Sequence, residues 1–270
     1  MEVEIDFTKS AQENANDYFV QAKRAKHKAE GARETVKGME QQLSDAKKEL
    51  DKSADKKQTK SIAAREWYEK FHWFNTGAGF LAIGGRDASQ NELLNAKYFD
   101  DNDLFFHADI FGASVVILKD GVNADATSKV QAAQFAACFS SAWKEGQASV
   151  NVYMLTRKQV SKSTAKGSLG KGSFAISGTR EWFRNQPLAL VAYVEEKEEN
   201  GIQAMIFRIA PASYSIQQGV SYVEISEGKS KKSDAAKGVS KMLNYPDIDY
   251  IMQQLPTGYF SLKHVLNSKQ

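Results

Sequence analysis

The sequence contains few of the two residue types that constrain a chain most strongly, cysteine and proline. Its 270 residues include one cysteine, Cys138, and four prolines, the first of them at position 187. A single cysteine cannot form an internal disulfide, and its apolar neighbours predict a buried thiol in a protein of the reducing cytosol. Because proline breaks helices, its absence before position 187 favours long, uninterrupted elements in the first part of the chain.

Long hydrophobic runs and clusters of metal-binding residues are also missing. The longest apolar runs, such as 188–194, have the length of a strand, and no signal peptide is recognisable, which predicts a soluble, cytoplasmic protein with no membrane partner. Four histidines and one cysteine argue against a structural zinc site. The glycines at 77–82 and 165–173 depart from the phosphate-binding patterns, and no nucleophile has a base at motif spacing. We therefore expect no cofactor, no metal and no catalytic residue.

Residues 8 to about 50 carry a heptad pattern typical of a single long helix. Small and apolar residues alternate in steps of four and three at Tyr18, Ala22, Ala25, Ala29, Ala32, Val36, Met39, Leu43, Ala46 and Leu50. This spacing is typical of a coiled coil, and its many alanines predict a thin seam. A helix of this length is not stable alone in water. We expect the polar stretch 52–61 to reverse the chain, so that a second helix over Ile62–Phe74 completes an antiparallel hairpin; a homodimer through the arm is the alternative pairing.

The remaining residues predict a mixed globular part, so that the whole chain is α+β. Alternating apolar patterns indicate strands at 80–84, 104–108, 114–118, 150–156, 173–177, 188–194, 204–209, 220–225 and 259–265. Helices are expected at 127–145, 234–243 and 247–254. We divide the chain into a coiled-coil arm at 1–66, a binding domain at 67–195, and an α/β extension at 196–270 that packs on the same domain.

A basic stretch follows the middle of the globular part, although the net charge of the chain is only +3. Between positions 157 and 184, seven residues are basic and only Glu181 is acidic. The basic residues are Arg157, Lys158, Lys162, Lys166, Lys171, Arg180 and Arg184. Lysines spaced among serines and glycines supply charge and donors for phosphate groups. The sequence therefore predicts RNA phosphate contacts by Lys158, Lys162, Lys166, Lys171 and Arg180; the alternative is a flexible, solvated loop.

The block Trp67–Ser114 combines core aromatics with an unusual density of polar residues. We expect Arg86, Asn91 and His107 to line a more specific RNA-binding pocket. For Arg86 the alternative is an ion pair with Asp87 that frames a turn. For His107, with Asp109 two residues later on the same strand face, the alternatives are a histidine that orients a loop or an acid–base or metal site. A metal-dependent nucleic-acid hydrolase using Asp87, Asp103, His107 and Asp109 is thus the competing hypothesis.

Several of these segments together resemble the NFACT family of ribosome-associated quality control factors. ANDYFVQAKRAKHKAEGARE is similar to the family's middle coiled coil. WYEKFHWF, IGGRDASQNE, DLFFHADIFGAS, SSAW, QVSK and GSFAISG are similar to its NFACT-R module, also called DUF814, in the same order. The amino-acid sequences of these segments are most similar to those of the archaeal and eukaryotic branches.

The resemblance implies a non-enzymatic role on a large ribosomal subunit obstructed by peptidyl-tRNA. The partners it implies are ribosomal RNA of that subunit, tRNA, and ribosomal proteins contacted through the coiled-coil arm. The family's NFACT-N region, which selects tRNA, has no counterpart in these residues. The expectation is therefore a fragment of a longer factor or a short member of the family, and extension of a stalled chain is not expected of this chain alone. A scaffold that dimerises through its arm is a further alternative.

Overall fold

A computed structural model of the chain describes residues 4–55, 66–164, 167–199 and 202–266. The chain forms two compact units, Met1–Ser61 and Ile62–Gln270. Within the described ranges, every helix is too short or too polar to cross a bilayer. The expected arrangement of a long helix followed by a sheet-rich mixed domain is confirmed.

The first unit is built on helix α1, Ala11–Asp55. Ser10 and Glu13 form a capping box at the N-terminus of the helix. The Ser10 N–H donates to Glu13 Oε2 at 2.8 Å, and the Glu13 N–H donates to Ser10 Oγ at 3.3 Å. The helix runs through Asp55, so the expected reversal does not begin at position 52. Good helix formers such as lysine and alanine explain why it continues. Val36 and Met39 of the seam are exposed, and the hairpin stays a prediction because 56–65 lie outside the described residues.

The second unit contains five helices and fourteen strands within its described residues. The helices are α2 (Ala88–Lys97), α3 (Ala126–Cys138), α4 (Ser141–Lys144), α5 (Lys232–Leu243) and α6 (Ile248–Gln254). The first nine strands are β1 (His72–Asn75), β2 (Leu81–Gly84), β3 (Leu104–Ala108), β4 (Val116–Leu118), β5 (Ser149–Thr156), β6 (Val160–Ser161), β7 (Ser163–Thr164), β8 (Gly167–Ser168) and β9 (Ala175–Ile176). The last five are β10 (Glu181–Pro187), β11 (Ala189–Glu199), β12 (Ile202–Pro211), β13 (Tyr222–Lys231) and β14 (Tyr259–Val265).

The strands form two main antiparallel sheets. The first has six strands in the order β1-β2-β4-β3-β5-β10, and the second has four in the order β12-β11-β13-β14. Short ladders pair β6 with β9 and β7 with β8. Strand β10 is an edge of the six-stranded sheet, which places its outer side chains where a ligand can reach them.

Side chains alternate between the two faces of the six-stranded sheet, and each face has its own core. Phe74, Phe106 and Met154 lie in the larger core, which also includes α3 and the four-stranded sheet. Phe105 and Tyr153 lie in the smaller core on the other face, with residues from α2 and from the segment 160–176. The sheet is therefore covered on both faces, but by different parts of the chain.

Helix α3 joins the two main sheets. Gln134 donates from Nε2 to the carbonyl of Pro187 at 3.1 Å and accepts at Oε1 from the N–H of Ser213 at 2.8 Å. Cys138 is fully buried on the same helix, as the sequence predicts. Burial raises the pKa of its thiol far above the ordinary value.

Two sequence predictions of secondary structure are wrong in part. The helix expected over Ile62–Phe74 is a turn at 67–70 followed by strand β1, while 62–65 lie outside the described residues. Phe71 and Trp73 enter the smaller core, and this alternation needs the period of a strand. The helix expected at 127–145 is broken after Cys138, because Ser140 caps the new helix α4 by accepting the Ala142 N–H at Oγ.

Candidate nucleic-acid interface

The segment Gly84–Glu92 leads from the end of β2 into the first turns of helix α2, which the sequence patterns did not predict. Asp87 caps the helix, because its Oδ1 accepts the N–H of Gln90 at 2.9 Å. Arg86 instead donates from Nη2 to the carbonyl of Phe71 at 3.1 Å. The two side chains thus have separate partners, and the half-buried Arg86 fixes the turn before β1.

Asn91 is buried inside this segment. Its Oδ1 accepts the N–H of Val115 at 3.1 Å, which ties α2 to the start of β4. Gly85 passes so close that a Cβ atom there would lie 2.2 Å from Asn91 Oδ1. Only glycine fits such an approach. The visible contacts of Asn91 therefore position the backbone, and a contact of Asn91 with RNA stays a prediction.

His107 lies on β3, directly opposite Tyr153 on β5. The Tyr153 hydroxyl is 3.2 Å from His107 Nδ1, and the backbone of Ala108 and of Ala113 also bonds the ring. Burial lowers the pKa of His107, and the bonds to the two backbone groups only partly oppose it. The bond with the backbone of Ala113 favours a His107 that orients the loop between β3 and β4, and a contact of His107 with RNA stays a prediction.

The acids of the hydrolase hypothesis serve other purposes in the structure. Asp103 accepts bonds from Lys119 Nζ and from the N–H of Asp120, and is almost fully buried. Asp87 is a helix cap, and Asp109 is exposed. Within the described ranges, no three His, Cys, Asp or Glu residues are grouped so that they could hold a metal ion.

The lysine-rich segment 160–176 is clamped onto α2 by one acid. Lys162 Nζ donates to Glu92 Oε2 and to the carbonyls of Gly170 at 2.8 Å and Ser173 at 3.1 Å. The Gly172 N–H donates to the same Glu92 oxygen at 3.1 Å. Hydrogen bonding from Lys162 lowers the pKa of Glu92, so the carboxylate stays charged. The positive charge of Lys162 is therefore largely compensated within the protein.

The other predicted phosphate contacts are placed differently. Lys158 and Lys171 are exposed, and Arg180 lies on the outer side just before β10. Lys166 lies outside the described residues. The structure thus places three of the five predicted cations at the surface.

A row of three rings crosses the six-stranded sheet beside Arg180. His107 faces Tyr153 on β5, and Tyr153 faces Trp182 on β10, with the last two ring centroids 5.6 Å apart. The guanidinium of Arg180 lies 4.7 Å from the ring centroid of Tyr153, and that of Arg184 lies 4.3 Å from the ring of Trp182. Both arginines sit within the range of cation–π attraction.

Sequence patterns did not identify Tyr153 and Trp182 as site residues. The one available signal was Trp182 between two arginines in TREWFRN, which is unusual for a strand that only packs. Tyr153 lies within an ordinary apolar strand pattern, and its neighbour across the sheet is 29 residues away in sequence. We name His107, Tyr153, Arg180, Trp182 and Arg184 the cation–aromatic row.

The SSAW segment ties the two main sheets together. Trp143 is buried and donates from Nε1 to the carbonyl of Tyr259 on β14 at 3.1 Å. Ser141 donates from Oγ to the carbonyl of Phe111 at 2.7 Å. Phe111 itself is 98% exposed at the tip of the loop after β3. This segment therefore fixes a loop that presents an aromatic side chain to solvent.

Comparison with known proteins identifies the domain that contains His107 and Tyr153 of the cation–aromatic row, while Arg180, Trp182 and Arg184 follow the matched residues. Residues 70–178 match the family model of the NFACT protein RNA binding domain. The chain is 33% identical over 198 residues to the archaeal Rqc2 homolog aRqcH of Methanocaldococcus jannaschii, covering 72% of this chain and 29% of that protein. It is 34% identical over 187 residues to the ribosome quality control complex subunit NEMF homolog of Drosophila melanogaster, covering 67% and 18%.

The human ribosome quality control complex subunit NEMF is 30% identical over 176 residues, which cover 63% of this chain and 16% of that protein. The chain thus spans less than a third of the length of these three relatives. The residues that match the family model, 70–178, include α2, strand β3 with His107, and the lysine-rich segment 160–176. The chain belongs to the NFACT family.

Proposed function

We propose that the globular unit binds single-stranded RNA as part of ribosome-associated quality control. The cation–aromatic row is the observation that supports this function best. Trp182 and the exposed Arg180 and Arg184 lie at the sheet edge, and the largely buried rings of Tyr153 and His107 continue the row into the sheet. Unpaired bases stack on aromatic rings and on arginine planes, and such stacking tolerates any base sequence.

Exposed cations of the globular unit suit a phosphate backbone. Lys158 and Lys171 are exposed, and the guanidinium groups of Arg180 and Arg184 lie over the rings of Tyr153 and Trp182. Phosphates bind lysine through charge, while bases stack on the guanidinium planes. A paired base offers no free face for stacking. The site therefore favours an unpaired segment over a duplex.

The ribosomal context comes from the relatives, which are named as quality control subunits or as an Rqc2 homolog. In this proposal the chain engages a large subunit obstructed by peptidyl-tRNA, in the cytoplasm. Ribosomal RNA or tRNA occupies the cation–aromatic row, and ribosomal proteins contact the arm around α1. Asp87 caps α2 and Asp103 bonds Lys119 and the Asp120 N–H, so the proposed role is binding without catalysis.

Salt-dependent RNA binding tests the proposal. A labelled single-stranded oligonucleotide should bind the chain with an affinity that falls steeply with salt, because each neutralised phosphate contributes about 0.7 to the log–log slope. Combined replacement of Lys158, Lys171 and Arg180 by alanine should lower both affinity and slope. A matched variant replaces three exposed lysines elsewhere, Lys229 on β13 and Lys237 and Lys241 on α5, and should bind as the parent does. Equal binding by both variants would contradict the proposed site.

Ribosome binding needs a separate test. Purified large subunits carrying peptidyl-tRNA should cosediment with the chain, and empty large subunits should do so less well. The variant of Lys158, Lys171 and Arg180 should reduce cosedimentation, and removal of residues 1–61 should reduce it further. Retention of RNA binding with no cosedimentation would leave an RNA-binding module and exclude the ribosomal role.

A further inference from the structure

Two polar residues lie beside the cation–aromatic row on the six-stranded sheet. The N–H of Asp109 donates to the carbonyl of Asn151 at 2.8 Å, so the pairing of β3 with β5 continues one residue beyond Ala108 and Val152. Asp109 therefore lies directly opposite Asn151. In a hydrogen-bonded pair of this kind the two Cα atoms lie about 5.5 Å apart, and the two side chains stand on the same face of the sheet.

These two residues share the face of the aromatic rings. Asp109 follows His107 by two positions on one strand, and Asn151 precedes Tyr153 by two positions on the other, which places all four on one face. The electrostatics agree, because the charge of Asp109 acts on both rings. Burial lowers the pKa of His107, and the negative charge of Asp109 opposes that change. Burial raises the pKa of Tyr153, and the same negative charge adds to the increase.

The carboxamide of Asn151 is oriented by the neighbouring edge strand. Its Oδ1 accepts the N–H of Asn185 on β10 at 2.9 Å. Asn185 has a positive φ of 51°, and it lies where the register of β10 against β5 shifts, between Phe183 and Gln186. Because the bond to Asn185 uses the oxygen of the carboxamide, its two Nδ2 hydrogens are the remaining donors. Amide donors thus lie next to the carboxylate of Asp109.

An exposed carboxylate is unexpected on a surface that binds phosphate groups. Asp109 is exposed just after β3, and its negative charge repels phosphates. A carboxylate only accepts hydrogen bonds, and in RNA the donors are the N–H groups of the bases and the ribose hydroxyl. Since a carboxylate has two oxygens, a base edge with two adjacent N–H groups fits it better than a single hydroxyl does. Asp109 therefore suits a contact with a base.

Guanine is the RNA base whose edge matches this pair of side chains. Its Watson–Crick edge presents the N2 and N1 hydrogens side by side, followed by the O6 acceptor. The carboxylate of Asp109 accepts both hydrogens in such a pairing, and Nδ2 of Asn151 donates to O6. Adenine and cytosine present one amino group next to an acceptor, and uracil presents one N–H between two acceptors. These three bases therefore use only one oxygen of the carboxylate.

We propose that Asp109 and Asn151 select guanine in the single-stranded RNA that binds the cation–aromatic row. The base stacks on the guanidinium of Arg180, which is exposed and lies 4.7 Å from the ring centroid of Tyr153. Residues two apart on a strand are about 7 Å apart, so the edge of a base above Tyr153 reaches Asn151 and its neighbour Asp109. This inference rests on the proposed function and adds base selectivity to it.

Binding of the full chain to a uridine oligonucleotide with one central guanosine tests the selection. The comparison ligands carry uridine, adenosine or inosine at that position, and inosine differs from guanosine only by the missing N2 amino group. The guanosine ligand should bind about tenfold more tightly than the uridine ligand, as one good bidentate contact with a base provides, and inosine should lie between them. Equal affinities, or preference for another base, would overturn guanine selection and leave RNA binding intact. Absence of binding to every ligand would overturn both proposals.

Variants assign the selection to these side chains, with the ratio of guanosine to uridine affinity as the readout. Asp109→Asn should bring this ratio close to one, while affinity for the uridine ligand stays the same or rises because a negative charge is removed. Asn151→Asp keeps an acceptor for the Asn185 N–H, removes the donors to O6, and should also lower the ratio. Asp101→Asn removes an exposed acid before the other end of β3 and should keep the ratio of the parent chain. An unchanged ratio in Asp109→Asn, or an equal fall in Asp101→Asn, would overturn the assignment.

Discussion

The guanidinium carbon of Arg184 lies 4.3 Å from the ring of Trp182, two residues earlier on the same edge strand. The two residues are only two positions apart, and Arg184 lies in the irregularity of β10 between Phe183 and Gln186, so this contact arises locally. Arg180, two residues before Trp182, lies 5.8 Å from the same ring. The indole is thus the centre of two cation–π contacts, and it holds both guanidinium groups at the sheet edge.

Removal of this ring should weaken RNA binding without removing charge. Trp182→Ala should lower the affinity for a single-stranded oligonucleotide by about 1–3 kcal/mol, because a stacking surface is lost. The slope of affinity against salt should change little, since both arginines remain. Fluorescence anisotropy at several salt concentrations measures both quantities. Trp182→Phe should retain most of the affinity, and a folded Trp182→Ala variant with unchanged binding would contradict the stacking role.

The clamp between Glu92 and Lys162 leads to a second prediction. Glu92→Gln should loosen the lysine-rich segment, because Lys162 Nζ and the Gly172 N–H share this carboxylate. Both side chains are about one-third exposed, so the free energy of unfolding should fall by only ~1 kcal/mol or less. Hydrogen exchange of the Gly172 amide should become faster.

The matched control for the clamp is a double-mutant cycle. Lys162→Met alone should also accelerate exchange at Gly172, and adding Glu92→Gln should change it less than Glu92→Gln does in the parent chain. Additive effects would show that the two residues act separately. Glu195→Gln, which removes an acid paired with Arg208 on the other main sheet, should leave exchange at Gly172 unaltered.

Local patterns predicted the strands of this fold well. Strands expected at 104–108 and 259–265 are observed as Leu104–Ala108 and Tyr259–Val265. In the first, alternate side chains meet a core on each face of the sheet, while the second turns the buried Phe260 toward the core. A period of two residues is visible in any short segment. Side-chain burial therefore follows from sequence without knowledge of distant partners.

The site depended on information that short segments do not contain. Helix α2 has a polar sequence whose stability comes from distant partners, such as Val115 for Asn91 and Lys162 for Glu92. Strand β10 is largely exposed, so it lacks the apolar alternation that marks a buried strand. The approach of Trp182 to Tyr153 results from the register of β10 against β5. The exposure of Lys158 and Lys171 could be predicted from the sequence, because a lysine is usually exposed whatever its distant neighbours are.

Two histidines, the buried His72 and the partly buried His107, predict a specific dependence of stability on pH. Burial lowers the pKa of His72 and of His107, so each binds a proton more readily in the unfolded chain. Their contribution to stability is present above the unfolded histidine pKa of about 6.5 and is lost as the pH falls toward their folded values. Chemical unfolding at pH 7.5 and at pH 5.5 should therefore give a lower free energy at pH 5.5.

Substitution tests the assignment of this effect. His107→Gln should reduce the difference in unfolding free energy between the two pH values, because one of the two titrating groups is removed. His264→Gln, at an exposed position on β14, should leave that difference as it is in the parent chain. An identical pH dependence in the parent and in His107→Gln would show that other groups cause the loss.

Gly85 offers the sharpest test of how α2 is held. In Gly85→Ala the new Cβ would meet Asn91 Oδ1 at 2.2 Å, so either Asn91 or the backbone must move. Displacement of Asn91 breaks its bond with the Val115 N–H, and strain in a packed interior typically costs ~1–3 kcal/mol. Gly77→Ala is the matched control, because a Cβ there meets its nearest neighbour at 3.7 Å, an ordinary contact. Thermal and chemical unfolding should show a clear loss of stability for Gly85→Ala and almost none for Gly77→Ala; comparable stability of the two variants would mean that α2 adapts without cost.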